Sequence, residues 1–426
     1  MTSVHTPAHP EPAASKPSLE KRIVATVLNR IRESRIPPTL AIQDRGSSSE
    51  STVAAAKLRE TTLADCDAVI ELKRRWGLIP DPCENWDKLW VSNPALKDAD
   101  PRRPPGWVLD ASGMLVGYIG NISSTYFFGE EKVSAVTAHA LVVEPAYRVT
   151  SVSLNAAFFR QKFADLYLGT TAIEAVDKIS RVFKCDRLPQ SGYDTVLFWI
   201  LRPSPFAAVI AKKLNLRQPA SYCAGALGTV ALATDKLLRR RWPRRSKSNL
   251  GVTKLKVGDI DAEFDRLWKS KRNESRRLLA DRSSATLRWH FDIPGDRSTV
   301  EVLSCHGNGD LQGYLVVRHE PPSEEGPRRS MLCDILIKQD RREVLEALFV
   351  AAYEQAKQAG SDVFEVVGFP PNLRDVLQQW NPYERKFPTC PFHFKAATPA
   401  LHRALLEQDI WYASPYDGDT TLMPVI

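Results

Sequence analysis

The chain has 426 residues, of which 43% are hydrophobic and 25% are charged. An ordinary domain holds ~100–200 residues, so this globular composition predicts two folded domains with a tail and excludes a disordered chain. The 58 Lys and Arg outnumber the 50 Asp and Glu, which gives a net charge of +8. Much of the excess lies in a basic run at 239–247, so the charge favours an anionic partner but does not indicate a broad nucleic-acid-binding face.

The seven cysteines are odd in number and widely scattered. They are Cys66, Cys83, Cys185, Cys223, Cys305, Cys333 and Cys390. Since none forms a CxxC pair or has the spacing of zinc ligands, they are predicted to be reduced thiols of a cytosolic protein. The first residues lack the apolar core of a secretory signal, and no segment reaches the ~18–20 apolar residues of a membrane helix. A cytoplasmic location is therefore expected.

Residues 1–54 are predicted to form an N-terminal tail. The segment 1–18 is rich in Pro, Ala and Ser, whereas 19–34 places apolar residues at helical spacing among basic ones. This second pattern predicts an amphipathic helix that packs on the next domain or, as the alternative, binds a membrane or a partner. A polar linker at 43–52 then puts the start of the first domain near Ala55.

Residues 55–205 show the pattern of one α/β domain. A short strand at 55–62 precedes a helix capped by Thr62, and two hydrophobic runs flank a turn at Asp110–Gly113, which predicts a hairpin. A third strand follows, up to a break at Glu144–Pro145. Beyond the break we predict a helix at 151–168, a strand at 170–176 and a final strand within 192–203 that closes the domain.

This order of elements, together with the phrase ALVVEPAYR at 140–148, resembles the GNAT superfamily of acyl-CoA N-acyltransferases. The resemblance implies acetyl-CoA or another acyl-CoA as cofactor, held by the end of the fourth strand and by backbone N–H groups of the following loop, Tyr147–Ser153. The residues so implied are Leu141, Val142, Val143, Arg148, Ser151, Val152 and Ser153. Where the family usually has glycines, this chain has Ser151 and Ser153, which lack the torsional freedom of glycine.

Three residues are candidates for moving protons in such a reaction. His139 shares a strand face with Leu141 and Val143, and an imidazole titrates in the useful range, so it is the first candidate base. Its alternative role is that of a hydrogen-bonded histidine packed inside the sheet. Glu174, expected in mid-strand, is the second candidate, with a structural ion pair as its alternative. Tyr193 lies near the place where many relatives carry a tyrosine that acts as the acid for the leaving thiolate.

Residues 206–250 belong to neither domain pattern. A helix is predicted from Phe206 to Leu214, and an apolar stretch at 220–238 runs directly into the arginines of the basic run. That combination predicts a linker helix packed between domains or, as the alternative, a segment in peripheral contact with a membrane.

Residues 251–426 repeat the order of the first domain. A capped helix at 258–273, a hairpin turning at Asn308–Asp310, a strand at 328–337 and a helix ending before Gly360 are predicted, followed by a strand at 361–369. The charged residues after Ile337 leave no small-residue loop, so this copy is not expected to hold a cofactor.

Near the C-terminus, aromatic and acidic residues cluster. They are Trp411, Tyr416, Asp417 and Asp419. Rings stack on sugar faces and carboxylates bind hydroxyl or ammonium groups, so the cluster predicts an acceptor-binding site, with a packed C-terminal turn as the alternative.

The sequence as a whole predicts an α/β protein with two tandem GNAT-like mixed-sheet domains. The implied activity is acyl-CoA-dependent N- or O-acyl transfer, with acetyl as the group transferred, to a saccharide, a nucleotide-sugar or another small amine or hydroxyl acceptor. Two alternatives remain open: a catalytically silent tandem fold that serves as a binding module, and a FemAB-like aminoacyl transferase.

Overall fold

The computed structural model describes residues 54–97, 100, 102–170, 174–213, 220–244, 250–323, 326–386 and 391–425. The predicted amphipathic helix at 19–34 and the linker at 43–52 lie outside the described residues, as do Arg245, Lys247 and Cys390 of the sequence predictions.

The first half of the chain forms thirteen named elements among its described residues. In chain order they are β1 (Lys57–Glu60), α1 (Cys66–Arg75), α2 (Cys83–Trp90), β2 (Gly106–Ala111), β3 (Met114–Phe128), β4 (Glu131–Val143), α3 (Ser151–Arg160), β5 (Leu166–Gly169), α4 (Glu174–Val182), β6 (Asp186–Arg187), β7 (Thr195–Ile200), α5 (Pro203–Lys213) and α6 (Ala220–Leu238). The predicted hairpin at Asp110–Gly113 is confirmed as the β2–β3 turn, where Asp110 accepts a hydrogen bond from the Gly113 amide.

The second half repeats this series. Its elements are β8 (Gly251–Leu255), α7 (Ala262–Arg272), β9 (Leu278–Ala280), α8 (Ser284–Phe291), β10 (Thr299–Gly307), β11 (Asp310–His319), β12 (Arg329–Ile337), α9 (Arg342–Gln358), β13 (Val363–Val367), α10 (Pro371–Gln378), β14 (Tyr383–Lys386), β15 (His393–Ala396) and α11 (Pro399–Ala404). The predicted hairpin turn is confirmed, with Asn308 and Gly309 both at positive φ, and Gly360 takes the positive φ expected after a helix.

Two mixed sheets organise these elements. The first has the order β1-β2-β3-β4-β5-β15-β6, with β9 paired to the far end of β3, and the second has the order β14-β7-β13-β12-β11-β10-β8. In each sheet one neighbouring pair is parallel, β4–β5 in the first and β12–β13 in the second, and the other pairs are antiparallel. The predicted fold class, two tandem GNAT-like mixed sheets, is confirmed.

The two halves exchange one strand each. β15 comes from the second half but lies between β5 and β6 of the first sheet, while β7 comes from the first half but lies between β14 and β13 of the second sheet. The prediction that the strand within 192–203 closes the first domain is therefore wrong. Five of the six residues of β7 are buried, and such a strand fits an interior position that is covered on both faces.

The segment after α3 also differs from the prediction. The helix expected at 151–168 ends at Arg160, and the strand expected at 170–176 is instead β5, at Leu166–Gly169. Glu174 is consequently the first residue of α4 rather than a mid-strand carboxylate. The spacing of Val176, Ile179 and Val182 is helical, and this period dominates over the short apolar run that suggested a strand.

Cys66 and Cys83 form a disulfide that joins the first turns of α1 and α2. The prediction that all cysteines are reduced is wrong for this pair, because sequence spacing alone did not reveal that the two helices begin side by side. Cys185, Cys223, Cys305 and Cys333 are free thiols. Within the described part of the chain, no helix is both long enough and apolar enough to cross a membrane.

Candidate functional site

The first sheet opens where β4 and β5 part. Their parallel ladder pairs Ala135 to Thr137 with Leu166 to Leu168 and then ends, although β4 continues to Val143. On its other edge, β4 has an irregularity against β3: the register jumps between Tyr118 and Gly120, and Ala140 has a φ of 51°. Such a bulge turns the strand and ends regular pairing, so β4 bends away from β5 at this point.

A small cavity of about 40 Å³ lies at the opening, on the α3 side of the sheet; we call it the slot. Ala138 and Leu141 of β4, Gly169 of β5 and Asn155 and Phe159 of α3 are among its lining residues. The walls are mainly apolar.

His393 also lines the slot, and it arrives there on the exchanged strand β15, opposite Gly169. Its Nε2 lies 2.6 Å from Oδ1 of Asp177 on α4, and its Nδ1 is buried without a hydrogen-bond partner among the described residues. Burial lowers the pKa of His393, against the raising effect of Asp177, so the ring is neutral near pH 7. With Nε2–H donated to the carboxylate, Nδ1 is left as a free acceptor.

Asp177 is itself anchored from two further directions. Arg187 and Arg181 both bond its carboxylate, at 2.8 and 3.0 Å. Burial would raise the pKa of Asp177, but Arg187 and His393 outweigh it and lower this pKa to about 2. The carboxylate therefore stays ionised and fixes the tautomer of His393.

His139 occupies the opposite face of β4 and has no free nitrogen. Its Nδ1 lies 3.0 Å from Asp419 and its Nε2 lies 3.0 Å from Asp81, which also bonds the buried Lys73. Burial opposes protonation of His139, but Asp81 and Asp419 outweigh it and raise the pKa. Two carboxylates on one imidazole require both nitrogens to donate, so the ring is an imidazolium.

The segment after β4 is helical rather than an open loop. Residues 145–150 form a 3₁₀ helix that runs into α3, with the Tyr147 amide bonded to the Glu144 carbonyl and the Ser151 amide bonded to the Arg148 carbonyl. The segment expected as a loop is therefore helical, and two of the amides expected to be free, those of Tyr147 and Ser151, are bonded within it. Pro145 favours helical φ at the first position, and no glycine follows to interrupt the turn.

The C-terminal segment, residues 411–423, crosses the opening between β4 and β5. Asp419 accepts a hydrogen bond from Thr170, just beyond β5, at 3.0 Å and also bonds His139 on β4. Gly418 lies so close to Thr170 that a Cβ would come within 2.7 Å of its hydroxyl oxygen. The segment thus joins the two diverging strands on the face opposite the slot.

A larger cavity, of about 120 Å³, lies between the two halves on this second face; we call it the central cavity. Thr137 of β4 lines it, whereas the next residue, Ala138, lines the slot, because successive strand residues point to opposite faces. Other groups on its walls are the Ser124 and Thr286 hydroxyls, the Lys132 and Asp281 charges, and the Trp289 and Tyr416 rings. The Ser124 hydroxyl is buried without a partner among the described residues.

In the second sheet, the corresponding opening is filled. The β12–β13 ladder ends at Leu332 and Val366. Beyond it, the buried Tyr412 hydroxyl donates to the Ile335 carbonyl at 2.8 Å, and the fully buried Arg282 binds the Asp334 carboxylate at 3.0 Å. This copy leaves no comparable slot among the cavities described.

Comparison with solved structures identifies the architecture. A GCN5-related N-acetyltransferase (GNAT) from Anabaena variabilis is 11% identical, with a TM-score of 0.50, over 80% of this chain and 73% of that one. A protein of Enterococcus faecalis V583, described as a probable N-acyltransferase, is 9% identical, with a TM-score of 0.51, over 80% and 72%. The chain has a tandem GNAT fold. No protein-family model and no curated protein matches the sequence.

A third similar structure is the Saccharomyces cerevisiae N-myristoyltransferase with bound myristoyl-CoA. It is 13% identical, with a TM-score of 0.48, over 84% of this chain and 86% of that one.

The structure separates the predicted cofactor residues of the GNAT fold. Leu141 lines the slot, whereas Val142 and Val143 pack in the neighbouring apolar clusters. Arg148 and Val152 are exposed at the start of the helical segment. The Ser153 hydroxyl donates to the Thr150 carbonyl, a local bond that holds the helix start.

The remaining predicted residues are placed as follows. Tyr193 precedes β7, its ring lies 5.3 Å from that of Phe392, and it lines neither cavity. Tyr416 and Asp417 line the central cavity, whereas Trp411 packs on Phe392. All four residues of the C-terminal cluster are buried, so the cluster is not an open surface platform.

Sequence reasoning missed His393. It lies in a strand of four residues, and only the exchange of that strand brings it to Asp177, 216 positions earlier. No group of histidine, cysteine and carboxylate side chains suited to a metal occurs among the described residues.

Proposed function

We propose that the chain is an acyl-CoA-dependent acyltransferase whose thioester site is the slot of the first sheet. The observation that carries the proposal is the opening of β4 from β5 beside a cavity that holds a buried, unpartnered histidine nitrogen. When bound, acyl-CoA supplies an activated thioester carbonyl. Ala138, Leu141 and Gly169 would line its acyl end, and a cavity of about 40 Å³ favours a short group such as acetyl.

We assign the role of proton acceptor to His393 rather than to His139. A base needs an unprotonated nitrogen within reach of the reacting group. His393 is neutral and has a free Nδ1, whereas His139 is charged and both of its nitrogens are engaged. Asp177 would orient His393 and stabilise its protonated form, as a carboxylate does for the histidine of other acyl-transfer sites.

The central cavity, on the face of β4 opposite the slot, is the proposed site for the acceptor, whose amine or hydroxyl would meet the thioester and His393 at the opening between β4 and β5. Its hydroxyl groups, its charges of both signs and its aromatic rings suit a small sugar, amine or hydroxyl compound. The buried Ser124 hydroxyl supports a polar ligand, since a buried polar group without a partner is costly.

Titration calorimetry with acetyl-CoA and longer acyl-CoAs tests the thioester site. Ala138→Leu adds three carbon atoms to the wall of a slot whose volume is only about 40 Å³. We expect the wild type to bind acetyl-CoA and Ala138→Leu to lose at least ~10-fold in affinity, which corresponds to ~1.4 kcal/mol. Ala157→Leu on α3 adds the same atoms outside the slot and should bind normally.

The role of His393 requires a separate readout. His393→Gln should keep acetyl-CoA binding within a few-fold while thiol release in the presence of a panel of amino sugars and small amines falls by ~10²–10⁴-fold. Loss of binding together with activity would contradict a role as proton acceptor.

One observation favours a second candidate, a silent GNAT fold that serves as a binding module. The Tyr147 and Ser151 amides, which the family would offer to a pyrophosphate, are already bonded within the helical segment. Absence of acyl-CoA binding by the wild type would favour this module and overturn the enzyme.

A further inference from the structure

α6 carries an exposed apolar stripe along one side. Residues Tyr222, Leu227, Val230, Leu237 and Leu238 are each 62–79% exposed. Ala226 and Thr234, exposed between them, complete the pattern. Successive helical residues are rotated by ~100°, so all of these positions fall within one arc of roughly 160°. At 1.5 Å per residue, the 19 residues of the helix extend over roughly 28 Å.

The opposite side of α6 is already packed. Gly228 approaches α5 so closely that a Cβ there would lie 3.4 Å from Ala207, and Leu232 is buried with Phe206 against the second sheet. Lys236 turns inward and donates to the Ile200 carbonyl at 2.9 Å. The helix is thus held firmly by one side, and the exposed stripe is not a consequence of poor packing of the helix as a whole.

The charges beside the stripe have one sign. Arg240 and Arg244 are exposed just beyond its C-terminal end. Asp235 is the one acidic residue within 220–244, and Arg239, Arg241 and the Tyr383 hydroxyl bind it at 2.9, 2.7 and 2.6 Å. No carboxylate of the described helix therefore opposes an anionic surface.

We propose that α6 docks the protein on an anionic phospholipid surface, with the stripe inserted at the interface and Arg240 and Arg244 against the headgroups. An apolar helix face combined with neighbouring basic residues is the combination that binds such surfaces without spanning them. A second copy of the chain fits less well, because its stripe would bring the same arginines and no carboxylate to pair with them. This surface is independent of the slot and of acyl-CoA.

Vesicle co-sedimentation of the full chain tests the proposal. We expect binding to vesicles of phosphatidylcholine with phosphatidylglycerol, little binding to phosphatidylcholine alone, and weakening in high salt. Arg240→Gln/Arg244→Gln should weaken binding by roughly five-fold for each arginine. Neither arginine has a hydrogen-bond or ion-pair partner among the described contacts of its side chain, so the fold should be unaffected.

Leu227→Glu/Val230→Glu places two charges on the stripe and should reduce binding by at least ~10-fold. Met114→Glu/Leu406→Glu makes the same change at two exposed apolar residues elsewhere and should bind like the wild type. Equal melting temperatures would show that both variants are folded.

Three results would overturn the proposal: no binding of the wild type to anionic vesicles at low salt, unchanged binding of the stripe variant, or a wild-type dimer that the stripe variant converts to monomer. The last would identify a second copy as the occupant. None of these results depends on acyl-CoA, so they are distinct from failure of the proposed enzyme activity.

Discussion

Asp81→Asn should destabilise the protein strongly, because Asp81 is the common partner of two buried cations. Its carboxylate bonds the Lys73 ammonium and, at 3.0 Å, Nε2 of His139, and all three side chains are buried. At an effective dielectric constant of ~20, unit charges ~3 Å apart interact by roughly 5 kcal/mol. Removal of one partner from a buried pair costs about 3–5 kcal/mol net, and we expect a loss in this range.

Guanidinium denaturation at pH 7 measures this loss as a change in the free energy of unfolding. Asp194→Asn is the matched control: its carboxylate pairs with Lys386 at 3.2 Å, but both side chains are more than half exposed, so the change should cost less than ~1 kcal/mol. Adding Lys73→Met to Asp81→Asn should recover part of the stability, because the unpaired ammonium is then gone.

The same variant makes a prediction about pH. Burial lowers the pKa of His139, but Asp81 raises it, and the net change is a rise. The charged ring therefore stabilises the fold fully below pH ~6.5, and this stabilisation is lost as pH rises through the raised pKa. The pKa of Asp81 is lowered, so its contribution is present above ~3.8 and is lost at more acidic pH. The difference in the free energy of unfolding between wild type and Asp81→Asn should be largest between pH ~3.8 and ~6.5. A loss below ~1 kcal/mol at pH 6 would refute the reasoning.

Three further predictions concern stability. Replacement of both Cys66 and Cys83 by Ser removes a disulfide that closes a loop with a sequence separation of 17, and should lower the free energy of unfolding by ~3 kcal/mol. An unchanged free energy of unfolding under oxidising conditions would show that the disulfide contributes nothing. Burial holds the pKa of His290 well below 6.5, so only the unfolded chain takes up this proton and the free energy of unfolding should fall as pH drops below ~6.5. His290→Gln should reduce the fall in the free energy of unfolding between pH 7.5 and 5.5, and an equal fall in wild type and variant would contradict the prediction. Gly106→Ala would place a Cβ 2.2 Å from the Ile119 carbonyl oxygen and should cost at least ~1–3 kcal/mol, whereas Gly169→Ala meets nothing within 4 Å and should melt like the wild type.

The parts of the fold that the sequence predicts well are those set by local chemistry. The hairpins turning at Asp110–Gly113 and Asn308–Asp310 depend on turn residues between two apolar runs, and the end of α9 depends on Gly360. These patterns lie within ~20 residues of chain, so they can be found without knowledge of tertiary contacts. The order of elements built from them was sufficient to suggest the GNAT resemblance.

The parts that could not be predicted depend on distant partners. β7 has six residues and β15 has four, and nothing in either strand specifies which sheet it joins. The disulfide between Cys66 and Cys83 and the dyad of His393 and Asp177 likewise form between segments whose proximity is set by packing. The candidates for proton transfer were all chosen from the first half and therefore included His139 but not His393.

The exchange of strands explains how two similar halves can have different roles. β15 delivers His393 from the second half to the slot of the first sheet, and the chain then continues to Asp419, which joins His139 to Thr170 across the opening. The opening in the second sheet is closed by Tyr412 from the same stretch of chain. One C-terminal segment thus crosses the first opening and fills the second, and under the proposed function the second half would supply residues to the site of the first half rather than hold a cofactor of its own.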